Sequence, residues 1–488
     1  MRVEADRSSI SFVYPFLFSA ECADSIVHRF LSSSTSSRDG IMKVWDSVYF
    51  ETEDWLPHLS ESLRPTNDGN AIVECFEVTN QFLQSRRGLN ASNDFLFSFR
   101  DKERTPVVIR LESLRVCLFR NGIGMIVQRW KLKSDHPADW LDFQHYGHFC
   151  DLERGGQLGV VQLSLERVEF PDPFSIRTGQ DDGAQFSGTF EDFNRTVLES
   201  AQLFRGGREA VRDVFVSGRF LPYTIAFLRE SGDPDWPCEK VIYKLRRMHH
   251  AMQAYCPAPE QLRRSEPFYL QYLRDQLFFF SLEGGGFVAS DASRDHFFQK
   301  TLPSHLETSY FLVFLIALQQ RFALIAMSAD VARHWKCETR GRSRTELRKV
   351  FERTRDRLFD FTARYYFLQV VQRENHHLCY QRWQAVFETR ALYDEVSMEV
   401  HEMSEYLRDV DRQIREDRVG LMTLLLTVLI GAPSLAIGFW NINIEGFTAS
   451  EGFGVWAAIA AVCGLSAAIA VGFSFLWAII RFSKNSDS

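Results

Sequence analysis

The residues whose types and spacing could do chemistry lie near the C-terminal end of the chain. Gly420, Thr423, Thr427, Gly431, Ser434, Gly438 and Asn441 follow one another at intervals of three or four. That spacing puts them in one stripe along a helix that is otherwise apolar. Hydroxyls and amides are costly against lipid, so the stripe must face another helix or water. Two readings stand. In the first, small residues pack helix on helix, with Thr and Ser bonding across. In the second, several copies gather round an axis, and Thr423, Thr427, Gly431 and Ser434 line a wet path. Asn441 closes the stripe. Asn441 equally reads as a polar helix C-cap.

A second set is acidic. Glu402, Glu405, Asp409 and Asp417 belong to a carboxylate-rich helix face just ahead of the stripe. The plain reading is a solvated surface. The functional one is a ring that concentrates or senses divalent cations once repeated by symmetry. Elsewhere chemistry is thin. His145-Tyr146-Gly147-His148-Phe149-Cys150 lacks neighbours to complete a metal site, and the pairs His249-His250 and His376-His377 point apart on helices. Glu283-Gly284-Gly285-Gly286 lacks the Lys and Ser/Thr of a phosphate loop. No nucleophile elbow or Ser-His-Asp order appears. The chain therefore reads as a non-enzyme with no resident cofactor and no assigned metal ligands.

The elements that must position these residues follow from hydropathy. Val419–Trp440 and Phe453–Ile480 carry no charge, and each has the roughly 20 apolar residues that a bilayer-spanning helix needs. Arg412, Arg415 and Arg418 precede the first, and Arg481 and Lys484 follow the second. The connector Asn441–Gly452 has no Lys or Arg but holds Glu445 and Glu451. The positive-inside rule then puts both termini in the cytoplasm and the connector outside. From Ser343 to Arg418 there is no Gly or Pro, which predicts one stalk helix of roughly 110 Å at 1.5 Å per residue. Tyr393, Val396, Val400, Met403, Leu407, Val410 and Ile414 form a heptad seam on it.

The rest reads as mixed α/β. Arg115–Lys131 predicts a hairpin turning at Asn121-Gly122, and Phe278–Ser290 predicts another turning at Glu283–Gly286. Ile10–Phe18, Lys43–Phe50 and Val160–Val168 read as strands, Ser175–Gly188 as a loop, and Pro303–Trp335 as a long apolar helix leading to the stalk. The division is 1–174, an N-terminal α/β cytoplasmic domain; 175–340, a second α/β part; 341–418, the stalk; and 419–488, two transmembrane helices. The 488 residues have a net charge of −7, which leaves no basic footprint for nucleic acid. Nine cysteines without a CxxC pair fit a reduced compartment, and the N-terminus shows no signal-peptide pattern.

Long helix, polar-striped span, acidic outer connector, second span and basic tail together resemble the CorA-type (Gly-x-Asn) two-span divalent-cation transporters. Gly438-Phe439-Trp440-Asn441-Ile442-Asn443 stands where that family carries Gly-Met-Asn. Here it reads Gly-x-x-Asn, or Asn-x-Asn. Glu445 and Glu451 match the acidic connector, and the resemblance covers about 343–488. It implies a homopentamer in the plasma (inner) membrane, with α/β domains on long stalks and an oligomeric helical pore. It also implies a selectivity filter at Gly438, Asn441 and Asn443, and passage of a divalent cation such as magnesium. The enlarged part before the stalk suggests sensing of a small-molecule ligand. The alternative is a ligand- or nucleotide-activated CorA-like membrane effector, as in bacterial antiviral defence, that permeabilises the membrane. A third reading is a membrane-anchored binding protein with no pore.

Overall fold

The computed structural model describes residues 1–32, 34–37, 40–50, 55–63, 71–79, 94–97, 107–149, 163–169, 185–188, 211–213, 219–230, 235–254, 257–264, 267–293, 295–338, 344–440 and 464. Its contacts define two units, Met1–Met327 with Arg357–Asp394, and Ser328–Asp356 with Glu395–Ser488.

The first unit is built on a 14-stranded sheet. Its main path runs Gln185–Gly188, Leu163–Glu169, Asp94–Phe97, Val107–Phe119, Ile123–Leu132, Ser9–Phe18, Leu221–Arg229, Gly284–Ser290, Gln276–Ser281 and Tyr269–Leu273. Strands from both sides of residue 175 are neighbours in it, so the sheet does not divide there. Among the described residues it is antiparallel except where Leu221–Arg229 runs parallel to Gly284–Ser290. The hairpin Val107–Phe119 to Ile123–Leu132 turns at the expected Asn121-Gly122. Gly122 sits at φ 94 and its amide donates to Phe119 O. A Cβ there would lie 2.8 Å from Phe18 O. The strand Leu163–Glu169 falls close to its expected place, and a short strand, Gln185–Gly188, occupies part of the expected loop.

The second hairpin differs from expectation. Ser281 pairs with Gly284, so the turn is Leu282-Glu283 and the three glycines lie inside a strand. They are there for close approach. A Cβ on Gly286 would stand 1.9 Å from Thr224 O, and one on Gly285 would stand 2.6 Å from the Trp383 ring. Trp383 is fully buried between Phe280 and Phe314, with ring centroids at 4.8 and 4.6 Å.

The apolar helix is present, as Leu302–Glu307 followed by Ser309–Glu338. Between Phe297 and Arg333 it is long and apolar enough to cross a membrane, with mean hydropathy 1.8, yet 83% of its most apolar window is buried. It is a core helix. Arg129, buried among the central strands, fixes its start by donating to Glu307 Oε2 at 3.2 Å and to Glu307 O at 2.7 Å. Breaking such a pair leaves an uncompensated buried charge.

The unbroken helix expected over 343–418 is instead three helices, Arg344–Arg364, Glu374–Val386 and Thr389–Trp440. The first break has a cause beyond propensity. Between Tyr365 and Val371 the carbonyls that a helix would use internally are taken by other groups. Gln320 Nε2 donates to Tyr365 O at 2.7 Å, and Tyr380 OH and Gln384 Nε2 donate to Phe367 O at 2.7 and 3.1 Å. Leu56 N donates to Val370 O. Val370 and Val371 are fully buried. The run is β-branched and aromatic, so it gains more from this burial than from helix. The second break is at Glu388, in left-handed conformation at φ 53.

In the second unit the heptad seam does not await a partner along its whole length. Met403 and Leu407 pack against Val331, Val350 and Phe351 of the same chain, and Val396 and Val400 are buried as well.

Two substitutions test these causes. Gly286→Ala places a methyl against an immovable backbone oxygen and should cost on the order of 3 kcal/mol. Glu388→Gly removes the left-handed penalty and should add about 1 kcal/mol. Denaturant unfolding of the purified chain reads both, with midpoints moving in opposite directions.

Candidate functional site

The helix Thr389–Trp440 carries the stripe. Its surface changes character within one turn. From Arg415 to Arg418 it is charged and exposed; from Val419 to Ile430 it is uncharged, and its large apolar side chains are still mostly exposed. Val419, Leu421, Met422, Leu424, Leu426, Leu429 and Ile430 all present their side chains outward. At about 100° per residue these seven leave one sector of the circumference open. Gly420, Thr423, Thr427 and Gly431 fill it, and a Cβ on Gly420 or Gly431 would meet nothing within 4 Å.

The threonines also qualify the expectation drawn from their polarity. Thr423 Oγ1 donates to Val419 O at 2.8 Å, and Thr427 Oγ1 donates to Thr423 O at 2.8 Å. Each hydroxyl proton is satisfied within its own helix. The hydroxyls therefore do not by themselves force the stripe toward water or a partner. The sector is marked instead by the contrast between its bare small residues and a surround of large apolar side chains. Ser434 and Gly438 continue the same helix, Gly438 two residues from its end at Trp440. Asn441, Asn443, Glu445 and Glu451, expected at the outer mouth, lie outside the described residues, as does Phe453–Ile480 apart from Gly464.

The acidic set is where its spacing places it. Glu402, Glu405, Asp409 and Asp417 are exposed on the same helix, with His401 Nε2 at 3.4 Å from Glu405. One turn earlier, burial and the neighbouring Glu395 push the Glu399 carboxyl above its ordinary value. Among the described residues no group of three or more His, Cys, Asp or Glu is arranged to hold a metal ion within one chain.

Buried histidines turn out to be structural. The helix Pro137–His148 is buried on nearly all sides, and its polar groups hold other elements. His145 Nδ1 meets Met248 O at 2.6 Å, His148 Nδ1 meets Phe220 O at 2.5 Å, and Asp142 accepts from Ala251 N at 2.5 Å. His148 Nε2 and Arg219 each lie 4.0 Å from the Glu283 carboxylate. Burial pushes both His145 and His148 down to about 4. Both rings are thus neutral at pH 7 and serve as clasps for backbone carbonyls.

One feature escaped sequence reasoning. A cleft of about 380 Å³ opens at the start of helix Glu374–Val386, lined by Phe297, Leu302, His305, Tyr310, Arg373 and His376. The His376 ring stacks on Tyr310 at 4.1 Å between centroids. These residues come from segments about 70 apart in sequence, with no motif to join them.

The histidines give a pH prediction. Their folded pKa lies below the unfolded value near 6.5, so the unfolded chain takes protons first as pH falls. Their contribution is intact above about pH 6.5 and is lost progressively toward pH 4, on the order of 3 kcal/mol for each ring. Unfolding midpoints measured from pH 7.5 to 4 should fall across that window, and less steeply in His148→Gln.

No protein-family model matches the chain, and no curated protein matches it. Among solved structures, the CorA magnesium transporter from Methanocaldococcus jannaschii aligns at 12% identity and a TM-score of 0.21, over 54% of this chain and 93% of that one. Likeness at that level establishes neither a shared fold nor a shared activity.

Proposed function

We propose that this chain is a subunit of a homo-oligomeric membrane channel or transporter for divalent cations. The observation that supports the reading is the helix Thr389–Trp440. Val419, Leu421, Met422, Leu424, Leu426, Leu429 and Ile430 face outward around the circumference except in the small-residue sector. Fully covering a Leu, Ile, Val or Met contributes about 1.5–3 kcal/mol. Seven such side chains on one exposed helix need an apolar surround, and the absence of charge over Val419–Trp440 makes lipid the fitting one. Subunits related by symmetry can then turn their small-residue sectors inward, with Thr423, Thr427, Gly431 and Ser434 toward the axis. Asn441 and Asn443 follow at the outer mouth, where amide oxygens bind the water shell of the ion. Glu445 and Glu451 draw cations toward it, and Arg412, Arg415 and Arg418 hold the entry side in the cytoplasm. The resemblance of residues 343–488 to the CorA-type transporters supports a pentamer and a magnesium-like cargo.

The cleft beside Arg373 favours a second reading, in which a small molecule held by residues of the first unit opens the membrane part. Helix Glu374–Val386 starts at that cleft and leads, through Phe387 and Glu388, directly into Thr389–Trp440.

Reconstitution in liposomes with a fluorescent magnesium or cobalt reporter tests the first reading. Purified chain should be oligomeric and should carry cations. Asn441→Ala with Asn443→Ala should reduce flux at least tenfold, while Leu424→Ala changes it less than twofold. Monomers in detergent and no flux at any cation gradient would overturn it. Flux that appears only with added cell extract, and is lost in Arg373→Ala, would favour the second reading.

A further inference from the structure

Cys75 and Cys117 are directly opposed Cα partners on the antiparallel strands Val73–Val78 and Val107–Phe119. Opposed residues in such a ladder have Cα atoms about 4.5 or 5.5 Å apart, according to whether the pair exchanges hydrogen bonds. Both values fall inside the roughly 4.4–6.8 Å that a disulfide spans. Their side chains leave the sheet on the same face. Both are free thiols and buried, and the two thiols hydrogen-bond one another. The next pair on that face is Glu77 opposite Arg115, joined at 3.0 Å. The guanidinium stands on the Cys117 strand two residues from the thiol, where it favours a developing thiolate. Phe76 and Val116 turn the other way, into the main core.

We propose that Cys75 and Cys117 form a dithiol that closes reversibly to a disulfide in the folded chain, with a hydroperoxide as oxidant. Cys75 as thiolate attacks one peroxide oxygen. An S–O bond forms, the O–O bond breaks, and the departing hydroxide takes up a proton as water. Cys117 then attacks the sulfenic sulfur. The S–S bond forms, the S–O bond breaks, and hydroxide leaves with the Cys117 proton as a second water. Two thiols lose two electrons and one hydrogen peroxide becomes two waters. Burial pushes the Cys75 thiol well above its ordinary value, so thiolate is scarce and the pair reacts slowly. A small neutral peroxide meets that requirement better than a bulky disulfide. Closure ties Val73–Val78 to the central hairpin and removes freedom from the unfolded chain.

The test uses the full chain in detergent, treated with hydrogen peroxide, alkylated and digested without reduction. Cys22 is exposed and reports delivery of oxidant. The expected product is one peptide pair joining Cys75 to Cys117, lighter by two hydrogens and released by dithiothreitol. The thermal midpoint of the oxidised chain should rise by about 5 °C, fall back on reduction, and stay unmoved by peroxide in Cys117→Ser. The wild-type comparison with and without reductant suffices if that variant does not fold. Complete oxidation of Cys22 while Cys75 and Cys117 remain alkylatable after unfolding would overturn the proposal. So would either residue joined to any other cysteine.

Discussion

A helix cannot change its solvent preference midway without changing its surroundings, and Thr389–Trp440 changes it at Val419. N-terminal to that point its outer face is carboxylates and arginines. From Val419 to Ile430 the large exposed side chains are Leu, Ile, Val and Met, and the sequence carries no charge to Trp440. Backbone hydrogen bonds are satisfied inside the helix on both sides, so the environment alone must differ. Water suits the first part and costs free energy along the whole second part. The functional reading rests on this constraint, since it converts a surface pattern into a position relative to a membrane.

The core helix Ser309–Glu338 is the useful contrast. By apolarity and length alone it passes for a membrane helix. Its side chains, however, are covered by protein: Phe311 and Phe314 pack on Tyr223, and Phe314 also packs on Trp383. Gln320 donates to Tyr365 O and accepts from Tyr380, and Glu307, the last residue of the short helix before it, holds the buried Arg129. Apolarity says that a helix must be covered. Which residues surround it says whether protein or lipid does the covering.

Those partners also show what could be read from sequence. The hairpin at Asn121-Gly122 was legible because its signal is local: a turn residue able to adopt positive φ between alternating apolar strands. The strand Ser9–Phe18 and the core helix were legible for the same reason. The breaks after Arg364 and at Glu388 were not, since no Gly or Pro marks them. The first is imposed by Gln320, Tyr380, Gln384 and Leu56, which compete for backbone carbonyls from afar. The glycine run 284–286 looked like a turn because its true reason, contact with Thr224 O and Trp383, lies in another strand and another helix. Of the candidate site, the stripe Gly420–Gly431 was legible through its period, but the internal bonding of Thr423 and Thr427 was not. The cleft around Arg373 and the facing cysteines depend on pairing between distant segments, which spacing does not encode.

The central claim is that the small-residue sector of this helix faces water while the rest of its circumference faces lipid or protein. Single cysteines introduced by Thr423→Cys, Thr427→Cys, Leu424→Cys and Leu426→Cys, in a background with the other cysteines replaced, can be challenged in liposomes with a membrane-impermeant charged thiol reagent. The account predicts that positions 423 and 427 react at least tenfold faster than 424 and 426, in step with the helical period. Equal protection of all four positions, with cation flux intact, would contradict it.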